Sequence, residues 1–349
     1  MMAVFASLAR RAYALAVLAV LLMLGFAAGP AFADPPRPTD YRSEIVSVTP
    51  QIDGLEVSIV GGDAFIDLDA GGHEVIVPGY QGEPYLRFDA DGTVSENVRS
   101  PAHFLNTDRY SEAVVPPEAD ADAEPGWEVV ATEGRFAWHD HRTHWMLEAR
   151  PTGLGPGDQI LDSIIPITVD GGRVEIAVVS TWMAAPSRAP WIASGVIAAV
   201  LGAIAASLGG HRERLLAGVS LAAAGAALLV GAWQTWSLPA ETGPPFVDWV
   251  LPLSAGVVAA AAFVPRWSSF TMRALTLVAS AQLVVWTVVR LDVVTHAILP
   301  TGAPFWFDRA TTAAVGVLAM VTLYAAGVAV VRLMYPSSTS AGADQAAVT

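Results

Sequence analysis

Residues 158–209 read, in five successive segments, DQILDSIIPITV, DGG, RVEIAVVSTWM, AAPSRAP and WIASGVIAAVLGAIAASLG. The first and third segments are rich in β-branched residues and are joined by an Asp-Gly-Gly turn, which predicts an antiparallel β-hairpin. The last segment carries no charged residue and is long enough to cross a hydrocarbon core of ~30 Å. The stretch therefore predicts a β-domain joined to a membrane domain through a short linker, residues 185–190.

The chain upstream of this hairpin continues the β pattern. From Tyr41 to Met183, short runs of β-branched and aromatic residues, one of them spanning 136–147, are bounded by Asp-Gly and Gly-Gly turns, and no helical period stands out. This pattern is typical of an antiparallel β-sandwich. We predict an all-β, extracytoplasmic sandwich of immunoglobulin-like or cupredoxin-like type over residues 34–184.

Downstream of the linker, apolar runs alternate with short polar connections. Residues 191–335 are predicted to form an all-α bundle of five transmembrane helices, followed by a disordered cytoplasmic tail at 336–349. The predicted spans lie near residues 191–209, 215–238, 247–265, 274–299 and 310–332.

Two independent features predict that the β-domain lies outside the cytoplasm. Arg10 and Arg11 precede an apolar run and the small-residue site Ala-Phe-Ala at 31–33, which is typical of a secretory signal peptide over residues 1–33. The alternative is an uncleaved anchor helix. The positive-inside rule assigns the first and third helix connections and the C-terminus to the cytoplasm of a multi-pass cell-membrane protein. The arginines behind that assignment are Arg212, Arg214, Arg266, Arg273 and Arg332.

The exported region is strongly acidic. Of the 33 Asp and Glu residues in the chain, 27 fall between residues 34 and 190, against 10 arginines in the same region. This charge disfavours nucleic acids and other polyanions as partners. The chain contains no cysteine, so any metal site must use His, Met, carboxylate or backbone ligands.

The densest set of potential metal ligands lies at residues 138–146, which read WHDHRTHWM. On a β-strand the first two histidines project from one face, while the third histidine and the methionine face the opposite side. A single bulge near residues 142–143 would bring all four together, giving three imidazoles and one thioether, a donor set suited to copper. The predicted ligands are His139, His141, His144 and Met146.

Other interpretations of the histidines stay open. The cluster is alternatively a structural network in which Asp140, Arg142 and the imidazoles satisfy one another, and His73 and His103 are further ligands only if folding brings them in. A Ser-His-Asp spacing, a phosphate-binding loop and a paired-carboxylate motif are not recognisable in the sequence. We therefore predict no catalytic residue and a protein that is not an enzyme.

A second polar cluster is predicted in the membrane half. Arg290, Asp292 and His296 fall in the outer third of the fourth predicted span, and Asp308 begins the fifth. Ionisable groups at such depths usually face protein or water. We expect a shared polar site at the outer membrane face beneath the sandwich. One alternative is an ion-pair network that fixes helix packing, and another is a transporter subunit with a water-accessible path that includes Asp292.

The segment His139–Met146, with Gly79–Leu86 and Ser100–Asn106, resembles an uncharacterised group of exported multi-helix membrane proteins from high-GC bacteria. The resemblance spans the exported domain and the helices after it, and its motif is His-Asp-His-Arg-x-His-Trp-Met. That group is associated with extracytoplasmic copper handling, so the resemblance implies copper as the cofactor and carries over no catalytic residue. Copper carriers that place a His at the mature N-terminus differ, because Asp34 stands there.

The sequence therefore supports two classes of function. The first is a non-enzymatic copper-binding or copper-delivery protein held at the outer face of the membrane. The second is an envelope scaffold whose sandwich recognises another membrane or exported protein without a metal.

Overall fold

The structure is a computed structural model that describes residues 35–110, 112–265 and 267–334. The predicted signal peptide at 1–33, Asp34, Arg266 and the predicted tail at 336–349 lie outside the described residues, as does the side chain of Arg332.

The first half of the described chain is an antiparallel β-region, as predicted. Its strands form a seven-stranded sheet in the order β1-β10-β9-β4-β5-β6-β7 and a three-stranded sheet in the order β2-β3-β8. The strands are β1 Tyr41–Thr49, β2 Glu56–Val60, β3 Phe65–Asp69, β4 Val75–Pro78, β5 Pro84–Phe88, β6 Val94–Asn97, β7 Trp127–Ala131, β8 Arg135–His139, β9 Gln159–Val169 and β10 Gly172–Trp182.

One apolar core is shared by the two sheets. Leu68 of β3 and Trp138 of β8 belong to the same buried cluster as Phe88 of β5 and Ile176 of β10. Leu68 and Phe88 stand between polar neighbours in the sequence, as expected where one face of a sheet turns inward. The assignment to a sandwich of immunoglobulin-like or cupredoxin-like type stays a prediction.

The predicted hairpin at 158–183 is confirmed. Val169 of β9 pairs with Gly172 of β10, and the turn between them holds Asp170 at φ 48° and Gly171 at φ 79°. Positive φ angles suit glycine and are tolerated by Asp, which explains why an Asp-Gly-Gly sequence closes this hairpin.

The expectation that no helix interrupts the β-region was wrong at one place. Helix α1, Pro101–Leu105, begins at Ser100, whose side-chain oxygen accepts a hydrogen bond from the Ala102 N–H. A serine cap followed by proline at the first helical position is a known start signal. Its single turn is too short to show a period of 3.6 residues.

The second half is helical, and its helices are α2 Ala189–Ser207, α3 Arg212–Trp236, α4 Val247–Ala261, α5 Ser269–Val289 and α6 Phe305–Met334. Four of them, α2, α3, α5 and α6, are long and apolar enough to cross a membrane by length and composition. The third predicted span, 247–265, is realised only as the shorter apolar helix α4. Pro265 follows it closely, and the residue before a proline resists the helical conformation.

The fourth predicted span, 274–299, was wrong at its C-terminal end. Helix α5 stops at Val289, and residues Leu291–Val294 form a single 3₁₀ turn. The loop beyond this turn meets the start of the β-region. The Thr39 and Ile298 backbones exchange two hydrogen bonds of 3.0 and 2.8 Å, and the Ala297 N–H donates to Asp40 Oδ1 at 3.0 Å. This junction places the loop after α5 against the β-domain.

Candidate metal centre

The WHDHRTHWM segment forms the end of a strand and a tight loop. Strand β8 pairs with β3 up to the pair His139 and Phe65, and the Asp140 N–H still donates to the Ala64 carbonyl. The chain then leaves the sheet. The predicted strand over 136–147 was therefore wrong beyond His139, and a loop takes the place of the predicted bulge.

Asp140 causes this change of direction. Its fully buried carboxylate accepts hydrogen bonds from the Arg142 backbone N–H at 3.0 Å, from the Arg142 guanidinium at 2.7 and 2.9 Å, and from Trp138 Nε1 at 3.0 Å. The Thr143 N–H donates to the Asp140 carbonyl at 3.0 Å and closes the turn. Burial raises the pKa of Asp140, but Arg142 more than offsets this, so the pKa lies below its usual value.

The loop brings three histidines together. His139, His141 and His144 are buried, and each offers a ligand nitrogen within 4.8 Å of the others. Their ring centroids lie 4.6 to 5.5 Å apart. The predicted convergence of the three imidazoles is confirmed. Met146 is 40% exposed, and its role as a fourth ligand stays a prediction.

Hydrogen bonds orient two of the imidazoles. His141 Nε2 lies 2.8 Å from the Asp108 carbonyl oxygen, and His144 Nδ1 lies 3.1 Å from the Trp145 carbonyl oxygen. A carbonyl only accepts, so in the neutral rings these nitrogens carry the hydrogen and the opposite nitrogens carry the lone pair. Metal-binding histidines commonly donate their second N–H to a backbone carbonyl in this way.

Two ring nitrogens of the cluster are buried without a hydrogen-bond partner among the described residues. They are His139 Nδ1 and His144 Nε2. Buried polar atoms in proteins are nearly always paired, and a bound ion or water satisfies those that lack a protein partner. A metal ion would take these two nitrogens as ligands in the tautomers that place a lone pair on them, so the donor set of the site fits a metal.

Burial keeps the imidazoles neutral. It lowers the pKa of His139 well below the usual value, with the neighbouring His144 and His141 adding to the effect. Burial and then the charge of Arg109 lower the pKa of His144 to about 3, and burial lowers that of His141. A histidine binds a metal through its neutral form, so these rings are ready ligands at neutral pH.

The metal-free protein should lose stability in acid because of these rings. In the unfolded chain a histidine takes up a proton near pH 6.5, whereas His144 in the folded protein resists protonation down to about pH 3. Between these values the unfolded state binds more protons, so the free energy of unfolding falls as the pH falls. We expect the thermal midpoint of the metal-stripped, detergent-solubilised chain to drop from pH 7.5 to pH 5.

The control is the His144→Leu variant, measured over the same pH range. Its midpoint should fall less steeply, because one neutral buried imidazole is gone. Parallel slopes for the variant and the wild type would contradict the predicted contribution of His144.

Residues remote in sequence complete the surroundings of the cluster. The Tyr80 ring stacks on His141 with a centroid distance of 5.6 Å, and the Tyr80 hydroxyl accepts the His141 backbone N–H at 2.9 Å and donates to Asn106. Arg109 forms a bidentate pair with the buried Asp63. The segment Gly79–Leu86 thus contacts the histidine loop through Tyr80, and Ser100–Asn106 reaches it through Tyr80 by way of Asn106.

The other histidines of the β-region lie elsewhere. His73 Nδ1 contacts Asp170 at 2.7 Å and its Nε2 contacts the Asp53 carbonyl at 2.9 Å, which ties two turns together. His103 pairs with Glu96 at 2.9 Å. Neither belongs to the cluster of three among the described residues, which agrees with the interpretation of His73 and His103 as ordinary surface or loop residues.

The predicted polar cluster of the membrane half divides into two sets. Arg290 caps helix α5 and pairs with both Asp248 and Asp308 at 3.0 Å, all three being buried. Asp292 and His296 do not lie on that helix. They belong to the 3₁₀ turn and the following loop, and they line a cavity with His139. The structure thus supports the ion-pair interpretation for Arg290 and Asp308.

Comparison with known proteins adds no relative: no family model, no curated protein and no solved structure matches this chain.

Proposed function

We propose that this chain is a membrane-held, non-enzymatic protein whose β-domain binds copper outside the cytoplasm and stores or delivers it. The observation that carries the proposal is the cluster of three buried imidazoles, two of which hold an unpartnered buried nitrogen. Such nitrogens are costly in a folded protein unless a ligand satisfies them.

The choice of copper follows from the donors. Imidazole suits copper and zinc, and among divalent metals an N/O/S site has its highest affinity for Cu²⁺. A chain without cysteine offers no thiolate cage for structural zinc. The thioether of Met146 is a soft donor two residues beyond His144, and the resemblance of this segment to proteins of copper handling points the same way.

The placement outside the cytoplasm follows from the chain's organisation. Four of the helices are long and apolar enough to cross a membrane. The arginines in the first and third helix connections support a cytoplasmic location for the helix ends that lie away from the β-domain. The junction of Thr39 with Ile298 holds the β-domain close to the helices. A metal bound there would sit next to the membrane surface.

The test is a titration of the full chain in detergent with Cu(I), Cu(II) and Zn(II) against competing chelators. We expect one copper ion per chain. The variant with His139→Ala, His141→Ala and His144→Ala should bind copper at least ~100-fold more weakly, because it loses about 2.7 kcal/mol or more of binding free energy. The matched control replaces His73 and His103 with Ala and should keep the affinity.

Because three alanines leave a cavity, a second variant guards against misfolding. His144→Gln keeps a similar size and removes only the imidazole, and it should also weaken copper binding while the thermal midpoint without metal stays near that of the wild type. Equal binding by the wild type and the triple variant would refute the copper proposal and leave the scaffold function as the better interpretation.

A further inference from the structure

A cavity of about 350 Å³ lies where the β-domain meets the loop after α5. One wall is the chain segment 35–41 with Trp145 and Leu147, and the other carries Asp292 and His296. Cavities of this size hold small molecules.

The cavity reaches the histidine cluster at one point. Of the three imidazoles, that of His139 lines the cavity. Ala64 also lines it, and the Ala64 carbonyl accepts hydrogen bonds from Asp140 and Thr143 in the loop that carries the other two imidazoles. The Nδ1 atom of His139 is one of the two unpartnered buried nitrogens. A metal bound to His139 would therefore lie beside this cavity.

The three imidazoles alone do not complete the shell of a four-coordinate metal. In zinc proteins, closed structural sites use four protein ligands, whereas catalytic sites with three leave the fourth position to water or substrate, and we apply the same reasoning to copper. A solvent-sized space next to His139 supplies room for such a ligand.

The charges around the cavity nearly balance. Three arginines and three acidic residues line its walls, but Arg109 is paired with the buried Asp63, which leaves two arginines against three acids, a net charge of −1. Such a lining admits neutral donors, and a small anion would be held there by the charge of the metal itself. The six charged residues are Arg37, Arg109, Arg150, Asp40, Glu148 and Asp292.

We propose that copper in the three-histidine centre keeps one coordination position open to this cavity, and that a small ligand with a single donor atom fills it. The ligand class comprises small anions and neutral nitrogen donors. This inference rests on the proposed copper site and adds that one of its ligands comes from outside the chain, in addition to any bond made by the Met146 thioether. No electron transfer or bond cleavage is involved, because the incoming ligand only replaces water on the metal.

The test uses the full chain in detergent loaded with Cu(II), to which azide and, separately, imidazole are added. We expect azide to produce a new azide-to-copper charge-transfer absorption band and both ligands to change the EPR spectrum of the copper. Ala64→Leu, which fills the cavity floor, and Leu147→Trp, which narrows its wall, should retain copper but bind azide about tenfold more weakly, a loss of about 1.4 kcal/mol.

The matched control is Leu154→Trp, since Leu154 is an exposed leucine in the β-region that does not line this cavity. It should bind azide like the wild type. A chain that takes up no copper refutes the proposed function itself. A chain that binds copper without any response to azide or imidazole overturns only this inference, as does an equal azide affinity in all the variants.

Discussion

Replacing Arg290 with methionine is expected to destabilise the helical domain by about 3–5 kcal/mol, because removing one partner of a buried ion pair leaves an uncompensated buried charge. Arg290 lies between Asp248 and Asp308, 3.0 Å from each, and also donates to Gln234 Oε1 at 2.7 Å. The side chains of Arg290, Asp248 and Asp308 are 3%, 6% and 1% exposed. Without the guanidinium, two carboxylates would face each other with little access to water.

The measurement is the thermal midpoint of the detergent-solubilised chain, followed by tryptophan fluorescence. Arg273→Met is the matched control, because Arg273 pairs with Glu213 where both side chains are more than a fifth exposed. Ion pairs with solvent access contribute about 1 kcal/mol or less. Adding Asp308→Asn to Arg290→Met should restore part of the loss, since it removes one unpaired charge.

The prediction fails if Arg290→Met and Arg273→Met lower the midpoint equally. That result would mean that water reaches the Arg290 site and screens its carboxylates. It would also favour a role in transport, because transport requires a water-filled path at the helix ends.

Replacing Asp140 with asparagine should impair both folding and metal binding. The change leaves the Arg142 guanidinium, which is only 18% exposed, without its anionic partner. It also removes the charge from the side-chain oxygen that accepts the Arg142 backbone N–H in the turn after β8. We expect a loss of stability of about 3 kcal/mol. Because the loop that orients His141 and His144 loosens, copper affinity should fall by about 10- to 100-fold, as for other residues that support metal ligands.

Two measurements separate these effects. Thermal unfolding without metal reports the loss of the ion pair, and a copper titration well below the unfolding temperature reports the site. Asp162→Asn is the control, because Asp162 is an exposed acid on β9 and such substitutions change stability by about 0.5 kcal/mol or less. Unchanged copper affinity in Asp140→Asn would show that the histidine loop keeps its shape without this carboxylate.

Parts of the site were predictable from local signals. Three of the four predicted ligands converge, although His141 reaches His139 through a loop and not along one face of a strand. The end of strand β8 also has a local signal that β periodicity overlooked. An Asp whose side chain accepts the N–H two residues later, here that of Arg142, forms an Asx turn and ends a strand. An Asx turn at Asp140 predicts a loop after His139 in place of the bulge near residues 142–143.

Other parts had no local signal. The carbonyl of Asp108 orients His141 across 33 positions of sequence, and Tyr80 stacks on the same ring from 61 positions away. Arg290 likewise finds Gln234 across 56 positions. Contacts over such separations depend on how whole elements pack, and a single sequence does not encode them in any short pattern.

The amino-acid sequence by itself determined the type of each segment: the hairpin at 158–183, the acidic β-region and the apolar helices after it. These follow from turn residues, alternation and apolar runs, which act over a few residues. Only the tertiary structure decided that β8 ends at His139, that α5 ends at Val289, and that three imidazoles meet beside a cavity that His139 lines. The physical reason is that strand ends and ligand sites are set by buried polar contacts, whose partners come from distant parts of the chain.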